Sequence, residues 1–505
     1  MEREFRIYFT TDTHGHVFPV DYGSSGPSAS GLLNLASNIQ KDGNTLVIDG
    51  GDSLQGTPLS QYYLNHPDDF DFHPVALAMN ALGCDYVTLG NHDFNYGYDA
   101  LRDYLHALDA ACLCANVEDL RGELGIEAYT VRTLQNGLRV GLTGVVTDFV
   151  NVWEQPQHLE ELRITNSFRA AKHMYEVLRP QCDLLVCIYH GGFERDVDTG
   201  RPLADTGENQ AWRICEELGY DLLLTGHQHM SIPSVDVCGT HAVQTNANAA
   251  QLALITGTAN GHLEFRSRLL PAGERHGEEP YNTLLPLEDT VQRWLDEPVG
   301  ILAEPIAPVE KLSLALHGSR IAELFNRVQL DASGADFSCT ALGNEPVGLK
   351  NPVTMRDITA AYLFPNTLVV LEVTEAVIRS LLERSAAYFV LEDGCPAVSE
   401  EFLKPKVEHY NYDFFGGLSY TIDLRRPVGQ RVTALTRPDK SPLGPGPFRF
   451  VTSNYRATGT GGYDALRDCP VLWRGGTEMP ELVAQYIREH SPVPALPTTD
   501  LRVLW

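Results

Sequence analysis

The chain has 505 residues, of which 43% are hydrophobic and 21% charged, so it is an ordinary folded protein long enough for two domains. Its formal net charge of −28 argues against wrapping nucleic acid or adhering to an anionic membrane, because both need a basic surface. A site for an anionic substrate would have to overcome this acidic field locally, and a bound divalent metal is one way to do so.

The N-terminus, "MEREFRIYFTTDTHGH", is charged from its second residue and has no apolar stretch of signal-peptide length. No segment approaches the roughly 20 apolar residues that span a bilayer. Ten scattered cysteines, with only Cys112 and Cys114 close together, are typical of reduced, mostly buried thiols. We therefore expect a cytoplasmic protein without membrane or nucleic-acid partners. An exported chain whose signal has been removed is the alternative, and the oligomeric state stays open.

The first part of the chain, to about residue 270, repeats one rhythm in which an apolar, β-rich run ends in a polar or glycine cluster and a helical stretch follows. The strand-like runs are 5–12, 45–52, 85–93, 139–148, 183–192 and 221–229, and helical spacing occupies 31–43, 166–181 and 208–219. Apolar strands that alternate with helices predict an α/β architecture with the strands covered on both faces.

Five of the six predicted strands carry Asp, Asn or His at or just beyond their carboxyl ends, where open α/β sheets bind ligands. In chain order these residues are Asp12 and His14, Asp52, Asn91 and His92, His190, and His227 and His229. Each residue alone could be a helix N-cap or a satisfied polar group. Their coincidence at one sheet edge instead predicts a metal site.

The number and type of these side chains indicate which metals bind. One ion with a shell of about four to six ligands would not use them all. Two ions about 3.5–4 Å apart that share a carboxylate would use them. Mixed carboxylate and imidazole ligation favours Mn, Zn, Fe, Co or Ni over Ca or Mg.

The rhythm changes after residue 271. "PAGERHGEEPYN" is loop-like, and "LEDTVQRWLDEPVG" predicts a connecting helix that ends before Pro298. A strong helix within 374–390, with Thr374 as its N-cap, and β-like runs at 417–424, 431–436 and 448–454 then predict an α+β domain. We predict domains at 1–272 and 301–505, joined by a linker at 273–300 that contains the connecting helix.

The motifs D-x-H, "GDSLQG", "GNHDFNYG", "YHGG" and "GHQH" stand in an order that resembles the calcineurin-like metallophosphoesterases. More narrowly, they resemble the 5′-nucleotidase and 2′,3′-cyclic-nucleotide phosphodiesterase family. "FPNTLVVLEV", "HYNYDFFGGLSYTIDL" and "SNYRATGTGGYDAL" extend the resemblance over nearly the whole chain. It implies a four-layer α/β/β/α metallophosphoesterase sandwich followed by a smaller α+β nucleotide-binding domain.

The resemblance also implies residue roles. One divalent ion would be held by Asp12, His14, Asp52 and His229, and the other by Asp52, Asn91, His190 and His227, with Asp52 bridging. A hydroxide activated by the two metals would attack phosphorus. His92 would be the catalytic histidine, which stabilises phosphoryl charge or protonates the leaving oxygen. In 5′-nucleotidases an Asp three residues on orients this histidine, whereas here Asn95 takes that place, as in the cyclic-nucleotide branch.

The C-terminal domain of this family binds a nucleoside between two aromatic rings. Matching the motifs points to Phe364 and Tyr463, with Asn366 as a further substrate-binding candidate. Tyr463 follows a glycine-rich loop that we expect to leave it unburied, whereas Phe364 could also be a core residue. The chain lacks the Asn-Gly-Gly-x-Ile-Arg stretch of the 5′-nucleotidase branch.

We therefore predict a metal-dependent phosphoesterase, using Mn, Zn or similar ions, that hydrolyses nucleoside 2′,3′-cyclic phosphates and 3′-nucleotides. A 5′-nucleotidase or UDP-sugar hydrolase of the same family is the nearer alternative. A catalytically silent nucleotide-binding protein is the more distant one. A protein that had lost its activity would be expected to lack a metal ligand or to have another residue in place of His92. The sequence retains all of these residues.

Overall fold

The structure is a computed structural model that describes residues 3–203, 207–274, 278–364, 366–404 and 406–505. The chain divides into two compact units, Met1–Gln292 and Arg293–Trp505. The division falls inside the segment 273–300, for which the sequence predicts a linker. Within the described ranges, every helix is too short or too polar to span a bilayer.

The first unit contains the predicted strand-helix alternation. Its strands are β1 (Arg3–Thr10), β2 (Val20–Asp21), β3 (Gly26–Pro27), β4 (Thr45–Asp49), β5 (Tyr86–Val87), β6 (Ala111–Cys112), β7 (Val117–Asp119), β8 (Tyr129–Thr133), β9 (Arg139–Val146), β10 (Leu162–Ile164), β11 (Leu184–His190), β12 (Leu222–Thr225), β13 (Ile232–Val237), β14 (Thr240–Gln244), β15 (Gln251–Ala259) and β16 (Leu263–Pro271). Its helices are α1 (Leu32–Leu35), α2 (Pro58–Asn65), α3 (Pro74–Leu82), α4 (Gly97–Ala107), α5 (Val150–Trp153), α6 (Ser167–Leu178), α7 (Ala211–Glu217) and α8 (Tyr281–Leu295), the last of which crosses the boundary.

The six predicted strands all form, but they lie in two sheets rather than one. The first sheet has the order β16-β15-β1-β4-β5-β6 and the second has β13-β14-β12-β11-β9-β8. Side chains from both sheets, such as Ile48 and Leu224, share one fully buried core. The expectation of a single sheet edge is therefore wrong, because the predicted ligands come from three strands of the first sheet and from two of the second.

Helices cover the outer faces and complete the four-layer α/β/β/α arrangement. Residues of α6 and α7, including Phe168 and Ile214, pack on the second sheet in a separate buried cluster. On the other side, α3 and α4 pack together, and Tyr104 of α4 lies beside Asp49 of β4. The helix predicted over 31–43 is shorter than expected, since α1 gives way to a 3₁₀ turn at Ala36–Asn38. There the Ser37 hydroxyl donates to the Asn34 carbonyl (2.9 Å), a local bond of the kind that competes with helix.

The second unit is α+β, as predicted. Its strands are β17 (Pro298–Gly300), β18 (Phe337–Ala341), β19 (Val353–Thr354), β20 (Leu368–Val373), β21 (Phe389–Glu392), β22 (Cys395–Val398), β23 (Asp413–Gly416), β24 (Ser419–Asp423), β25 (Val432–Thr436), β26 (Phe448–Ser453), β27 (Val471–Arg474) and β28 (Leu501–Leu504). Its helices are α9 (Lys311–His317), α10 (Arg320–Ser333), α11 (Met355–Ala361), α12 (Glu375–Ala386), α13 (Asn454–Ala457) and α14 (Met479–Glu489). The larger sheet runs β23-β18-β26-β20-β27. Thr374 caps α12 by accepting the Val377 N–H, which confirms the predicted N-cap.

Candidate metal centre

Six of the predicted ligands converge in two groups at strand ends of the first unit. The ligand atoms within each group lie within 4.8 Å of one another, and the groups are Asp12, His14 and His229, and Asp52, His190 and His227. In the first group, His14 Nε2 lies 3.1 Å from His229 Nε2, and His229 Nε2 lies 3.4 Å from Asp12 Oδ1. Two imidazole nitrogens and a carboxylate facing one point are a cation-binding arrangement.

Two of the predicted ligands, His190 and Asn91, have a buried polar atom without a hydrogen-bond partner among the described residues. His190 Nε2 lies 3.2 Å from Asp52 Oδ2 and 3.9 Å from Asp12 Oδ1, so it stands between the groups. Neither His190 Nε2 nor Asn91 Oδ1 makes a hydrogen bond within the described part of the chain. Buried polar atoms normally have a partner, so these two atoms fit the positions of metal ligands.

Three of the histidines have one ring nitrogen engaged by an oxygen acceptor. His14 Nδ1 lies 2.9 Å from the Gln55 carbonyl oxygen, and His190 Nδ1 lies 2.6 Å from that of Gly50. His227 Nε2 lies 2.9 Å from Glu208 Oε1, and the Trp153 ring stacks on His227 at 5.4 Å. An acceptor on one nitrogen keeps the proton there and leaves the other nitrogen's lone pair for a cation. Glu208 and Trp153 were missed as site residues by the sequence prediction.

The backbone at these ligands is strained. Left-handed φ angles occur at Asp12 (54°), His14 (48°), Asp52 (58°), His227 (72°) and His229 (56°). Such conformations cost non-glycine residues about 1–3 kcal/mol each and cluster at functional sites. The strain at these five residues therefore supports a functional role for this part of the structure.

The loops that carry Asp52 and Asn91 are held together by Asp93. Its carboxylate accepts backbone N–H groups from Gly90, Asp52, Ser53 and Leu54 at 2.8–3.1 Å. A Cβ on Gly90 would lie 2.1 Å from Asp52 Oδ1, so only glycine permits this approach. The sequence prediction missed Asp93, whose four acceptor bonds join the loop of Asp52 to that of Gly90.

Charge within the cluster suits cation binding. Burial alone would raise the pKa of Asp52, but His190 and His92 hold it well below its usual range. Burial, together with His229, lowers the pKa of His14 to about 3, so this ring is neutral. Burial would lower the pKa of His190 as well, yet Asp52 and Asp12 raise it to about 10. A cation that binds His190 Nε2 therefore displaces a proton.

His92 lies beside the first group, with its ring 5.6 Å from that of His14. Its backbone N–H donates to Asp52 Oδ1 (2.7 Å). Its Nδ1 lies 2.8 Å from Asn95 Oδ1, and Asn95 Nδ2 donates to Glu154 Oε2 (2.6 Å). Glu154 is 8% exposed and follows β9, the one predicted strand without a ligand at its end. No spacing rule connects position 154 with His92, so the sequence prediction missed it.

In the second unit, the predicted substrate-binding residues differ in exposure. Phe364 is 42% exposed, with its ring 6.0 Å from that of Tyr410, and Asn366 is half-buried, its carbonyl accepting the Met479 N–H. Tyr463 is only 1% exposed. Its hydroxyl lies 2.7 Å from Ser385 Oγ, and the Arg456 guanidinium covers its ring at 4.2 Å. The expectation that Tyr463 is unburied is wrong, because these contacts enclose it.

A different tyrosine is exposed near Phe364. Tyr455, 37% exposed, lies in the first turn of α13 next to Asn454. Asn454 and Thr367 exchange hydrogen bonds, with Asn454 N donating to the Thr367 carbonyl (2.9 Å) and Thr367 N donating to Asn454 Oδ1 (3.2 Å). This pairing places the segments of Phe364 and Tyr455 side by side. Motif matching missed Tyr455 because it selected the tyrosine after the glycines.

Comparison with known proteins gives family matches to both units. The family model described as calcineurin-like phosphoesterase matches residues 5–231, and that described as 5′-nucleotidase, C-terminal domain, matches residues 299–468. A candidate 5′-nucleotidase from Staphylococcus aureus, solved in complex with α-ketoglutarate, is 30% identical over the whole of both chains with a TM-score of 0.91.

Curated relatives align over most of the chain at lower identity. A 2′,3′-cyclic-nucleotide 2′-phosphodiesterase/3′-nucleotidase of Yersinia enterocolitica is 25% identical over 96% of this chain and 85% of its own length. The trifunctional nucleotide phosphoesterase protein YfkN of Bacillus subtilis is also 25% identical over 96% of this chain, which spans only 38% of that longer protein.

Proposed function

Because the chain belongs to the metallophosphoesterase family that contains the 5′-nucleotidases and the 2′,3′-cyclic-nucleotide phosphodiesterases, we propose that it hydrolyses nucleoside 2′,3′-cyclic phosphates and 3′-nucleotides. Hydrolysis of small nucleotide substrates with divalent metal ions is the property of the family. The choice among nucleotides is the part that we propose for this chain.

The observation that carries the proposal is the pair of ligand groups beside His92. We assign one ion to Asp12, His14, Asp52 and His229, and a second to Asp52, Asn91, His190 and His227, with Mn or Zn as the metals. The 3.2 Å and 3.9 Å separations of His190 Nε2 from Asp52 and Asp12 support two neighbouring ions rather than two separate sites. When bound, such ions polarise the phosphoryl group and lower the pKa of water toward neutrality.

His92 is the side chain that we expect to contact the phosphoester in addition to the metal ions. Its Nδ1 is occupied by Asn95, so Nε2 is the atom left to face a phosphoester. From there it can stabilise charge on a phosphoryl oxygen or deliver a proton to the leaving oxygen. We assign this role to His92 and regard Asn95 as the residue that orients it.

Selection of the nucleoside is assigned to the second unit. Phe364 and Tyr455 are exposed aromatic rings on adjacent segments, which suits stacking against a base. Stacking accepts every base because each has an aromatic face. Tyr463 is withdrawn from this role, since its ring is enclosed.

The substrate preference rests on Asn95 and on relatives. Three curated relatives at 23–25% identity are named 2′,3′-cyclic-nucleotide 2′-phosphodiesterase/3′-nucleotidase, and the chain has Asn95 where the 5′-nucleotidase branch has Asp. Activity as a 5′-nucleotidase is the second candidate, favoured by the likeness to the Staphylococcus aureus protein over the whole chain.

The test is turnover of a substrate panel in excess Mn²⁺, with products separated by chromatography. The panel is 2′,3′-cyclic AMP, 3′-AMP, 5′-AMP and a UDP-sugar. We expect the first two to be preferred and His92→Ala to lower kcat roughly 10²- to 10⁴-fold with metal content unchanged. Preference for 5′-AMP would replace the proposed substrates with the second candidate. Metal binding without turnover of any compound would overturn the proposal.

A further inference from the structure

Asn95 joins His92 to a buried carboxylate through its amide. The two ends of an amide have the same shape but opposite chemistry, since oxygen accepts and NH₂ donates. A flip of the Asn95 amide would therefore cause no steric clash, yet it would present a donor to His92 instead of an acceptor. The group that contacts the side of the Asn95 amide away from His92 therefore determines whether oxygen or NH₂ faces His92.

Glu154 occupies that far end and is itself fixed. Its Oε2 accepts from Asn95 Nδ2 (2.6 Å), and its Oε1 accepts the Gln155 backbone N–H (2.7 Å) and lies 2.8 Å from His158 Nδ1. A carboxylate only accepts hydrogen bonds, so the NH₂ of Asn95 must face Glu154. The amide oxygen must then face His92.

We propose that Glu154 is a positioning residue that sets the tautomer of His92 through Asn95. An acceptor at 2.8 Å holds a proton on His92 Nδ1, so Nε2 is the nitrogen that carries the further proton delivered to the leaving oxygen and is bare once the ring is neutral. With the amide reversed, Nδ1 would have to accept and the proton would move to Nε2. The catalytic part of this inference rests on the proposed function, whereas the tautomer does not.

The arrangement predicts that positions 95 and 154 can only change together. Asn95→Asp alone places two carboxylates in a 2.6 Å contact. In Glu154→Gln alone, the Gln155 N–H should donate to the new amide oxygen, so the new NH₂ faces Asn95. Asn95 must then flip to present its oxygen to that NH₂. In the variant that carries both substitutions, the carboxylate at position 95 accepts from His92 and from the amide at position 154. Every hydrogen bond is then restored, with the negative charge moved next to His92.

The experiment is a double-mutant cycle on the full-length, metal-loaded protein with the best substrate of the panel. Each single variant should lose roughly 10- to 100-fold in kcat, with KM and metal content within about twofold of the original values. The double variant should recover to within several-fold of the original kcat, far above the product of the single losses. Glu160→Gln, a change of the same kind at an exposed position in the same segment, is the matched control and should leave kcat unchanged.

A second measurement does not depend on turnover. In zinc-loaded protein labelled with ¹⁵N-histidine, the His92 ring signals are identified by their loss in His92→Ala. They should show the Nδ1–H tautomer in the original protein and the double variant, and the Nε2–H tautomer in Glu154→Gln. An unchanged tautomer in Glu154→Gln, or a double variant no better than the product of the single variants, overturns the proposal. If the original protein hydrolyses nothing, the proposed function fails while the tautomer still decides this inference.

Discussion

Tyr463 shows, at the scale of single residues, how a glycine-rich loop can bury an aromatic ring. The glycines beside it allow arginines to approach closely, since a Cβ on Gly461 would lie 2.2 Å from Arg456 Nη1 and one on Gly462 would lie 2.3 Å from Arg384 Nε. Arg456 in turn forms a buried ion pair with Asp413 at 2.8 Å. Glycine content alone therefore does not predict exposure, because it also permits unusually close packing.

Substitutions at the two tyrosines should separate binding from stability. Tyr455→Ala should raise KM for nucleotides roughly 5- to 150-fold, the equivalent of about 1–3 kcal/mol of stacking, with kcat and the free energy of unfolding little changed. Tyr463→Phe should lower the free energy of unfolding by about 1–3 kcal/mol, because it removes the hydroxyl that accepts the Asp413 N–H at 3.1 Å, and should leave KM unchanged. Steady-state kinetics and urea unfolding measure both effects. The reverse pattern would restore Tyr463 as the stacking residue.

The candidate metal ligands could be predicted from sequence because each ends an apolar strand or lies just beyond it. Asp12, Asp52 and His190 follow buried runs whose ends are visible in the chain. Glu154 and Asp93 could not be predicted in this way, because they act through hydrogen bonds to residues on other loops. Their roles depend on how the loops fold back, which hydrophobic periodicity does not encode.

At the scale of elements, the start of α3 depends on a buried histidine. His73 Nδ1 accepts the Ala76 N–H (3.3 Å), so it serves as the N-cap and must be unprotonated. The side chain is 7% exposed, and burial lowers the pKa of His73 from 6.5 to about 3. The capped helix therefore requires neutral histidine, whereas the unfolded chain protonates it below about pH 6.5.

This cap gives an acid dependence with a definite sign. The stabilisation is complete above pH 6.5 and is lost as the pH falls toward 3, because the unfolded state then binds a proton that the folded state excludes. His73→Asn keeps an acceptor at the N-cap but does not titrate. Between about pH 7 and pH 4.5, its free energy of unfolding should fall by roughly 2 kcal/mol less than that of the original protein. Urea unfolding at the two pH values tests this, and parallel losses would contradict it.

The distribution of strands between two sheets is a property of the whole first unit that local sequence does not reveal. Strands β4 and β11 are apolar on both faces, and neither pattern states which neighbour will pair with it. Strand β16, which pairs with β15 at the end of the first sheet, is half-exposed and alternates polar with apolar residues, so it lacks the apolar run that identified the others. The resemblance to a known family was needed to expect the four layers.

The net charge of the whole chain predicts how salt acts on the reaction. At −28 the protein repels anionic nucleotides over long distances, whereas the ions attract them only at short range. Raising ionic strength from about 10 mM to 150 mM shortens the screening length from roughly 30 Å to 8 Å and mainly removes the repulsion. We expect kcat/KM to rise with salt, more for dianionic 3′-AMP than for monoanionic 2′,3′-cyclic AMP. A fall with salt would mean that a local positive field dominates.

The last strand of the larger sheet in the second unit has a consequence for handling the protein. All four residues of β27 are exposed, including Leu472 and Trp473, and the strand lies at the outer end of the sheet order. Such an edge offers backbone donors and acceptors to any extended chain that meets it, so it invites aggregation. Near neutral pH the shared negative charge holds copies apart. Acidification removes that repulsion, so precipitation on acidification should begin with copies pairing along this edge.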